Sequence, residues 1–185
     1  RLAREAVALD PGFVLGWDAL AESLAALATD VDGEEAERMR EEATQVRAHI
    51  AGLAPDHWIV KRDRAYALWR EGKQAEAIAL TREIMEGGPM SYERAYPYTE
   101  LIFSVGHLDE TVAVVEQLRT IEPLAMFISR DLQVDYTAAR RIDDAEAEYQ
   151  RSQTLDGSHA NPNFVALLRG LARQDADPQI LSELF

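Results

Sequence analysis

The sequence predicts an all-α solenoid of antiparallel helix pairs, on three observations. Pro55, Pro89 and Pro123 are spaced by 34 residues, and so are Gly72 and Gly106 between them. The next step after Pro123 falls on Gly157, and Pro11 lies 44 residues before Pro55, so the period persists with one insertion. Between these marks apolar residues recur at helical spacing. A period of 34 with small residues at fixed offsets is the signature of stacked helix–turn–helix pairs. About four repeats, at 14–55, 58–89, 92–123 and 126–157, form a single array over residues 1–185, with a terminal helix at each end. Such pairs build a binding surface.

Taken in order, residues 1–11 read as the end of a helix whose partner lies upstream, so the chain is expected to be a fragment of a longer protein. The second helix pair is expected near 14–53 and carries Trp17, Leu20, Ala21 and Leu24. Its insertion sits at residues 28–35, where Asp32 caps a helix and Glu34 and Glu35 suit the positive N-terminal end. That helix runs to about Gly52 and is longer than its counterparts.

The next pair, near 57–87, carries Ala65, Leu68 and Trp69, then Gly72 where a left-handed cap is needed. Ala77, Ile78, Thr81, Ile84 and Met85 follow, up to Gly87-Gly88-Pro89. Ala65 and Ala77 are the expected points of close helix approach. The pair near 91–121 repeats the offsets with Ile102, Phe103, Gly106, Val112, Val115 and Leu118, and Ser91 and Asp109 are expected N-caps. Pro97 is expected to bend or delay the first of these helices. The pair near 124–154 carries Leu132, Tyr136, Ala145 and Tyr149, with Arg140 at the turn position in place of glycine. Beyond it, Asn161-Pro162 opens a closing helix with Phe164, Leu167, Leu168 and Leu171, and Pro178 to Phe185 starts one further short helix, so that 162–185 holds the capping helices. Ile180, Leu181, Leu184 and Phe185 are then left over, which predicts a homo-oligomeric contact or a continuation of the array.

Composition narrows the function classes. With 33 acidic against 19 basic residues the formal net charge is −14, and Lys61 and Lys73 are the lysines. A nucleic acid is repelled over most of such a surface. There is no cysteine, which removes disulfides, thiolate metal sites and thiol catalysis together. No apolar run approaches the roughly 20 residues that span a bilayer. The cytoplasm is the expected compartment, with the periplasm left open.

The spacing W-x2-L-[small]-x2-[large] in Trp17, Leu20, Ala21 and Leu24, and the ending Ala6-Val7-Ala8-Leu9-Asp10-Pro11, resemble the tetratricopeptide repeat (TPR) family. The resemblance runs from residue 1 to about 157 and implies a right-handed solenoid. Arg64 departs from the family's core leucine, and Thr81 and Val115 replace a large aromatic. In its alanine-rich, irregular repeats the chain is similar to TPR regions of bacterial signalling and regulatory proteins.

The resemblance also implies a concave groove lined by fixed positions of each first helix. These are Ile59, Arg62, Tyr66, Trp69 and Arg70 in the third repeat. The fourth presents Glu93, Tyr96, Glu100, Phe103 and Ser104, and the fifth Phe127, Arg130, Val134, Thr137 and Ala138. Aromatics interleaved with arginines are the usual material of peptide hot spots. Arg62, Arg70 and Arg130 favour an acidic peptide. A lysine and asparagine clamp for a terminal carboxylate is not expected, because Asn161 and Asn163 lie outside the groove and neither lysine is on it.

Catalytic and metal chemistry find little support. Asp30-x-Asp32-Gly33 matches only part of a calcium loop, and helix capping explains it better. His49, His57, His107 and His159 are scattered, so no metal or other cofactor is expected, and His57 and His107 fall in turns. None of the phosphate-cradling or nucleophile-elbow glycine motifs occurs. The expectation is a non-enzymatic scaffold that holds a protein or peptide partner. The alternatives are a sensor segment of a larger bacterial transcription or signalling regulator, or the non-catalytic arm of a TPR-bearing transferase.

Overall fold

A computed structural model describes residues 1–155, and the segment of the expected closing helix, with Gly157, Phe164 to Leu171 and Ile180 to Phe185, lies outside the described residues. The described residues form helices α1 (Leu2–Leu9), α2 (Val14–Leu27), α3 (Gly33–Leu53), α4 (Trp58–Arg70), α5 (Gln74–Glu86), α6 (Tyr92–Ser104), α7 (Leu108–Ile121), α8 (Met126–Ala138) and α9 (Ile142–Leu155), and no strand. The starts of α4, α6 and α8 fall 34 residues apart, as do those of α5, α7 and α9. The period in the prolines and glycines is thus a period in the helices.

The turns explain how the period is kept. A helix end leaves carbonyls without intrahelical partners, and a left-handed residue just beyond the end lets the next two N–H groups reach back to them. After α4 the N–H groups of Gly72 and Lys73 donate to the carbonyls of Trp69 and Leu68 at 3.0 and 2.9 Å. After α6 those of Gly106 and His107 donate to Phe103 and Ile102, both at 2.9 Å. Gly72 and Gly106 have φ of 79° and 85°. Arg140 does the same work after α8 with φ of 59°, its N–H and that of Arg141 reaching Thr137 and Tyr136 at 3.0 and 2.7 Å. The turn chemistry survives the loss of glycine.

Two compact units divide the chain, Arg1–Leu80 and a second beginning at Thr81, with the division inside α5. In the first, α1 packs on α2, α2 on α3 and α3 on α4. Its core holds Val7, Leu20, Ala21, Leu24, Val46, Ile50 and Ile59. Ala65 and Ala77 are fully buried, as close helix approach requires. The insertion lengthens α3 to 21 residues. In the second unit α6, α7, α8 and α9 pack in sequence order around Ala95, Val112, Val115, Leu118, Ile128, Leu132 and Tyr136. Arg64 is exposed, so its departure from leucine leaves the core intact, whereas Thr81 and Val115 are buried in their aromatic-free positions.

Three local expectations change. The N-cap of α7 is His107, and Asp109 instead sits in the first turn beside Glu110, where both carboxylates face the positive helix end. Asp32 and Ser91 are N-caps by position and extended backbone, without a side-chain cap hydrogen bond. Pro97 does not delay α6, which runs uninterrupted from Tyr92 to Ser104. Pro97 is itself buried, and burial of its apolar ring offsets the missing N–H.

Arg140 carries a side chain in a backbone region that costs about 1–2 kcal/mol for a residue other than glycine. Replacing it with glycine is expected to raise unfolding stability by about 0.5–1 kcal/mol, the gain being trimmed by glycine's greater freedom in the unfolded chain. Urea unfolding of Arg140→Gly beside the native chain measures this, and an unchanged or lower midpoint contradicts it.

Candidate functional site

In the second unit, α6 presents Tyr96, Thr99, Glu100, Phe103 and Ser104 along one face, since residues three and four apart are neighbours on a helix. Asp131, Val134 and Asp135 form the corresponding stripe of α8, and the buried Thr111 and Val115 of α7 lie between. Together they line an open cleft of about 190 Å³. Tyr96, Glu100, Phe103, Ser104 and Val134 were expected on this face. Thr99, Thr111, Val115, Asp131 and Asp135 were not.

An aromatic row borders the cleft. The Tyr92 ring lies 5.2 Å from that of Tyr96 and 4.4 Å from that of Phe127. Tyr96, Phe127 and Val134 remain 39%, 40% and 48% exposed, which leaves apolar surface available to a partner. The aliphatic hydroxyls of the cleft are satisfied by nearby backbone carbonyls. Thr99 donates to the carbonyl of Tyr96 at 3.0 Å, Ser104 to that of Glu100 at 2.8 Å, and Thr111 to that of His107 at 3.0 Å.

The carboxylates differ from the hydroxyls. Tyr92 donates its phenol hydrogen to Asp131 Oδ2 at 2.8 Å. Burial pushes the Asp131 carboxyl up, opposed by that hydrogen bond and by the charge of Arg130. Asp135 is only 6% exposed, and its carboxyl has no hydrogen-bond or ion-pair partner among the described residues. Burial, and then the negative charge of Asp131, push it up to about 7. Burial together with Glu100 and Asp131 also raises the Tyr96 phenol. The cleft is therefore acidic, against the expectation of an acidic ligand, and a second anion entering it meets Asp131, Asp135 and Glu100.

In the first unit Arg62 proves to be a structural group. Its guanidinium grips Asp18 in a bidentate pair at 2.7 and 3.1 Å and also reaches Asp63 at 3.1 Å. Both Arg62 and Asp18 side chains are 13% exposed. Burial works against the arginine's charge, yet the hydrogen bonds and charges of Asp18 and Asp63 raise its pKa. Arg47 of α3 joins through Glu22 at 3.0 Å and Asp63 at 3.5 Å, so α2, α3 and α4 are tied by one network. Ile59, expected on the groove, is fully buried in the core. Tyr66 and Trp69 are half-buried, and Arg70 is exposed with Nε donating to the carbonyl of Tyr66 at 3.2 Å. Arg130 and Glu100 are exposed.

No cluster of metal-ligating side chains occurs among the described residues, and none of their helices is long and apolar enough to cross a membrane. His57 caps α4, its Nδ1 accepting from the N–H of Ile59 at 3.3 Å.

No protein-family model matches the chain, and no curated protein does. Among solved structures, the crystal structure of PilW, a widely conserved type IV pilus biogenesis factor, is similar over 98% of this chain and 79% of its own, with a TM-score of 0.61 at 16% identity. The fold is a TPR-like helical repeat. At that identity the likeness is one of fold, and the cleft stands on its own geometry.

Two outcomes follow for stability. Arg62→Ala leaves Asp18 buried without its counter-charge and is expected to cost about 2–4 kcal/mol, read as a lowered urea midpoint. Loss of less than about 0.5 kcal/mol, the range of an ordinary surface change, contradicts this role. For Asp135 the folded chain keeps its proton up to about pH 7, whereas the unfolded chain releases it near the ordinary aspartate value of about 4. The folded state binds more protons across that window, so this group's contribution to stability falls as pH rises through it. Asp135→Asn is expected to gain about 2–4 kcal/mol over the native chain at pH 8 and little at pH 4, in paired melts. An equal difference at both pH values shows that the carboxyl titrates normally.

Proposed function

We propose that this chain is a non-catalytic protein-interaction module that holds a peptide segment of its partner in the cleft between α6 and α8. The observation that carries the reading is the half-exposed aromatic and apolar rim of that cleft, Tyr96, Phe127 and Val134, beside the half-buried Phe103. Aromatic side chains supply rigid contact area at little conformational cost and dominate peptide hot spots. The likeness in fold to a pilus biogenesis factor supports a scaffolding role. Arg62 drops out of the contact set because Asp18 already holds it.

The test uses peptides selected on the 185-residue chain by phage display, titrated against single variants. Tyr96→Ala is expected to weaken a selected peptide by more than about 1 kcal/mol, the hot-spot threshold. Its melting temperature stays close to the native value, because the ring is 39% exposed. Peptides that bind Tyr96→Ala unchanged place the contact elsewhere and remove this reading.

A further inference from the structure

We infer that the cleft contains a subsite for a cationic side chain, and that the peptide held there presents a lysine or arginine whose charged head meets the Asp135 carboxylate. The inference rests on the peptide-docking reading above and adds the chemistry of what is recognised.

Four observations carry it. Asp135 is 6% exposed as a residue, more than nine-tenths buried, yet its carboxyl makes no hydrogen bond or ion pair among the described residues. No fully buried side-chain oxygen among them lacks a partner, so the Asp135 oxygens keep the little exposure they have, and they keep it on the cleft that Asp135 lines. A buried carboxylate in that position costs free energy until a proton or a cation joins it. The neighbouring charges then fix the sign of the ligand. Asp131 stands one turn away on the same face and Glu100 lies on the opposing helix, whereas no lysine, arginine or histidine lines the cleft.

The walls supply the rest. Tyr96 and Phe103 line the path to the carboxylates, so the aliphatic stem of a long basic side chain packs on aromatic surface and its head meets ring faces on the way in. Tyr92 fixes Asp131 through its 2.8 Å hydrogen bond and so holds the second carboxylate in place. A peptide is favoured over a free polyamine as the source. The exposed Phe127, Val134 and Tyr96 around the rim are apolar surface that residues flanking the basic one cover, and a bare polyamine leaves them in water.

The experiment is an amide-resonance titration of the uniformly labelled 185-residue chain. The probes are a capped pentapeptide, acetyl-Ala-Leu-Arg-Leu-Ala-amide, its lysine counterpart, its citrulline counterpart and spermidine. Citrulline keeps the shape of arginine and removes the charge. The arginine or lysine peptide is expected to shift amides of residues 96–104 and 131–135, and to bind about tenfold or more tightly than the citrulline peptide, as a hydrogen bond to a buried charge implies. Asp135→Asn is expected to erase that tenfold preference, while Glu86→Gln, an exposed control of equal charge change, leaves it within about twofold. Should Asp135→Asn fold poorly, the arginine-to-citrulline ratio on the native chain decides alone.

Equal binding of the charged and citrulline peptides at these amides overturns the cation subsite and leaves peptide docking standing. Spermidine binding there more tightly than either basic peptide overturns the peptide source. Shifts confined to other amides for every probe, together with display-selected peptides indifferent to Tyr96→Ala, remove both readings.

Discussion

From α4 onward the repeats depend on how a 13-residue helix is stopped. The last carbonyls of α4, α6 and α8 need donors, and a three-residue turn offers them only if its middle residue takes a left-handed backbone. Gly72, Gly106 and Arg140 all take it. With the stop fixed, the following helix starts at a set distance, and in the second unit the apolar faces of α6, α7, α8 and α9 meet in sequence order. The core around Leu118 is a consequence of that order as much as of side-chain choice.

The cleft grows out of the same geometry. Placing α6 and α8 one period apart sets the Tyr96 face beside the Asp131 face, with α7 closing the space between. Because α7 contributes the buried Thr111 and Val115, the carboxyl of Asp135 is carried into a low-dielectric site while one side stays open. A group that is a routine surface acid on an isolated helix becomes the most strongly perturbed aspartate among the described residues. Buried charge elsewhere in the chain is resolved internally, as with Glu148, which Arg119 and Arg151 both reach.

The fold was legible because its signals are local. Proline and glycine offsets mark helix ends through backbone chemistry alone, and all three expected turns occur where the offsets put them. Arg140 shows the limit of glycine as a signal, since the backbone hydrogen bonds impose the conformation on the residue that happens to be there. The site was only half legible. Tyr96, Glu100, Phe103 and Val134 follow from the groove positions that the TPR resemblance implies, but the state of a charged group depends on partners far away in sequence. Arg62 reads as a free cation until Asp18, 44 positions earlier, is seen to neutralise it. Asp135 reads as a solvated acid until the packing of α7 removes its water. Asp131 and Asp135, four apart and flanking an apolar residue, were a visible pattern that the fixed groove positions passed over.

The joints and the cleft place different demands on sequence. At a joint the hydrogen bonds run between backbone atoms, so many side chains are compatible with one geometry, as Arg140 in a glycine position shows. The cleft side chains, by contrast, hang on helix faces that the joints already hold in position. The exposed ones, Tyr96 and Val134, can change without disturbing how the helices follow one another, whereas the buried Val115 belongs to the core as well. An architecture of this kind separates heritable shape from heritable specificity, and lineages can exchange almost every residue while retaining a common path of the chain. The 16% identity that accompanies a TM-score of 0.61 to PilW over 98% of this chain shows how few residues a similar helical path needs in common.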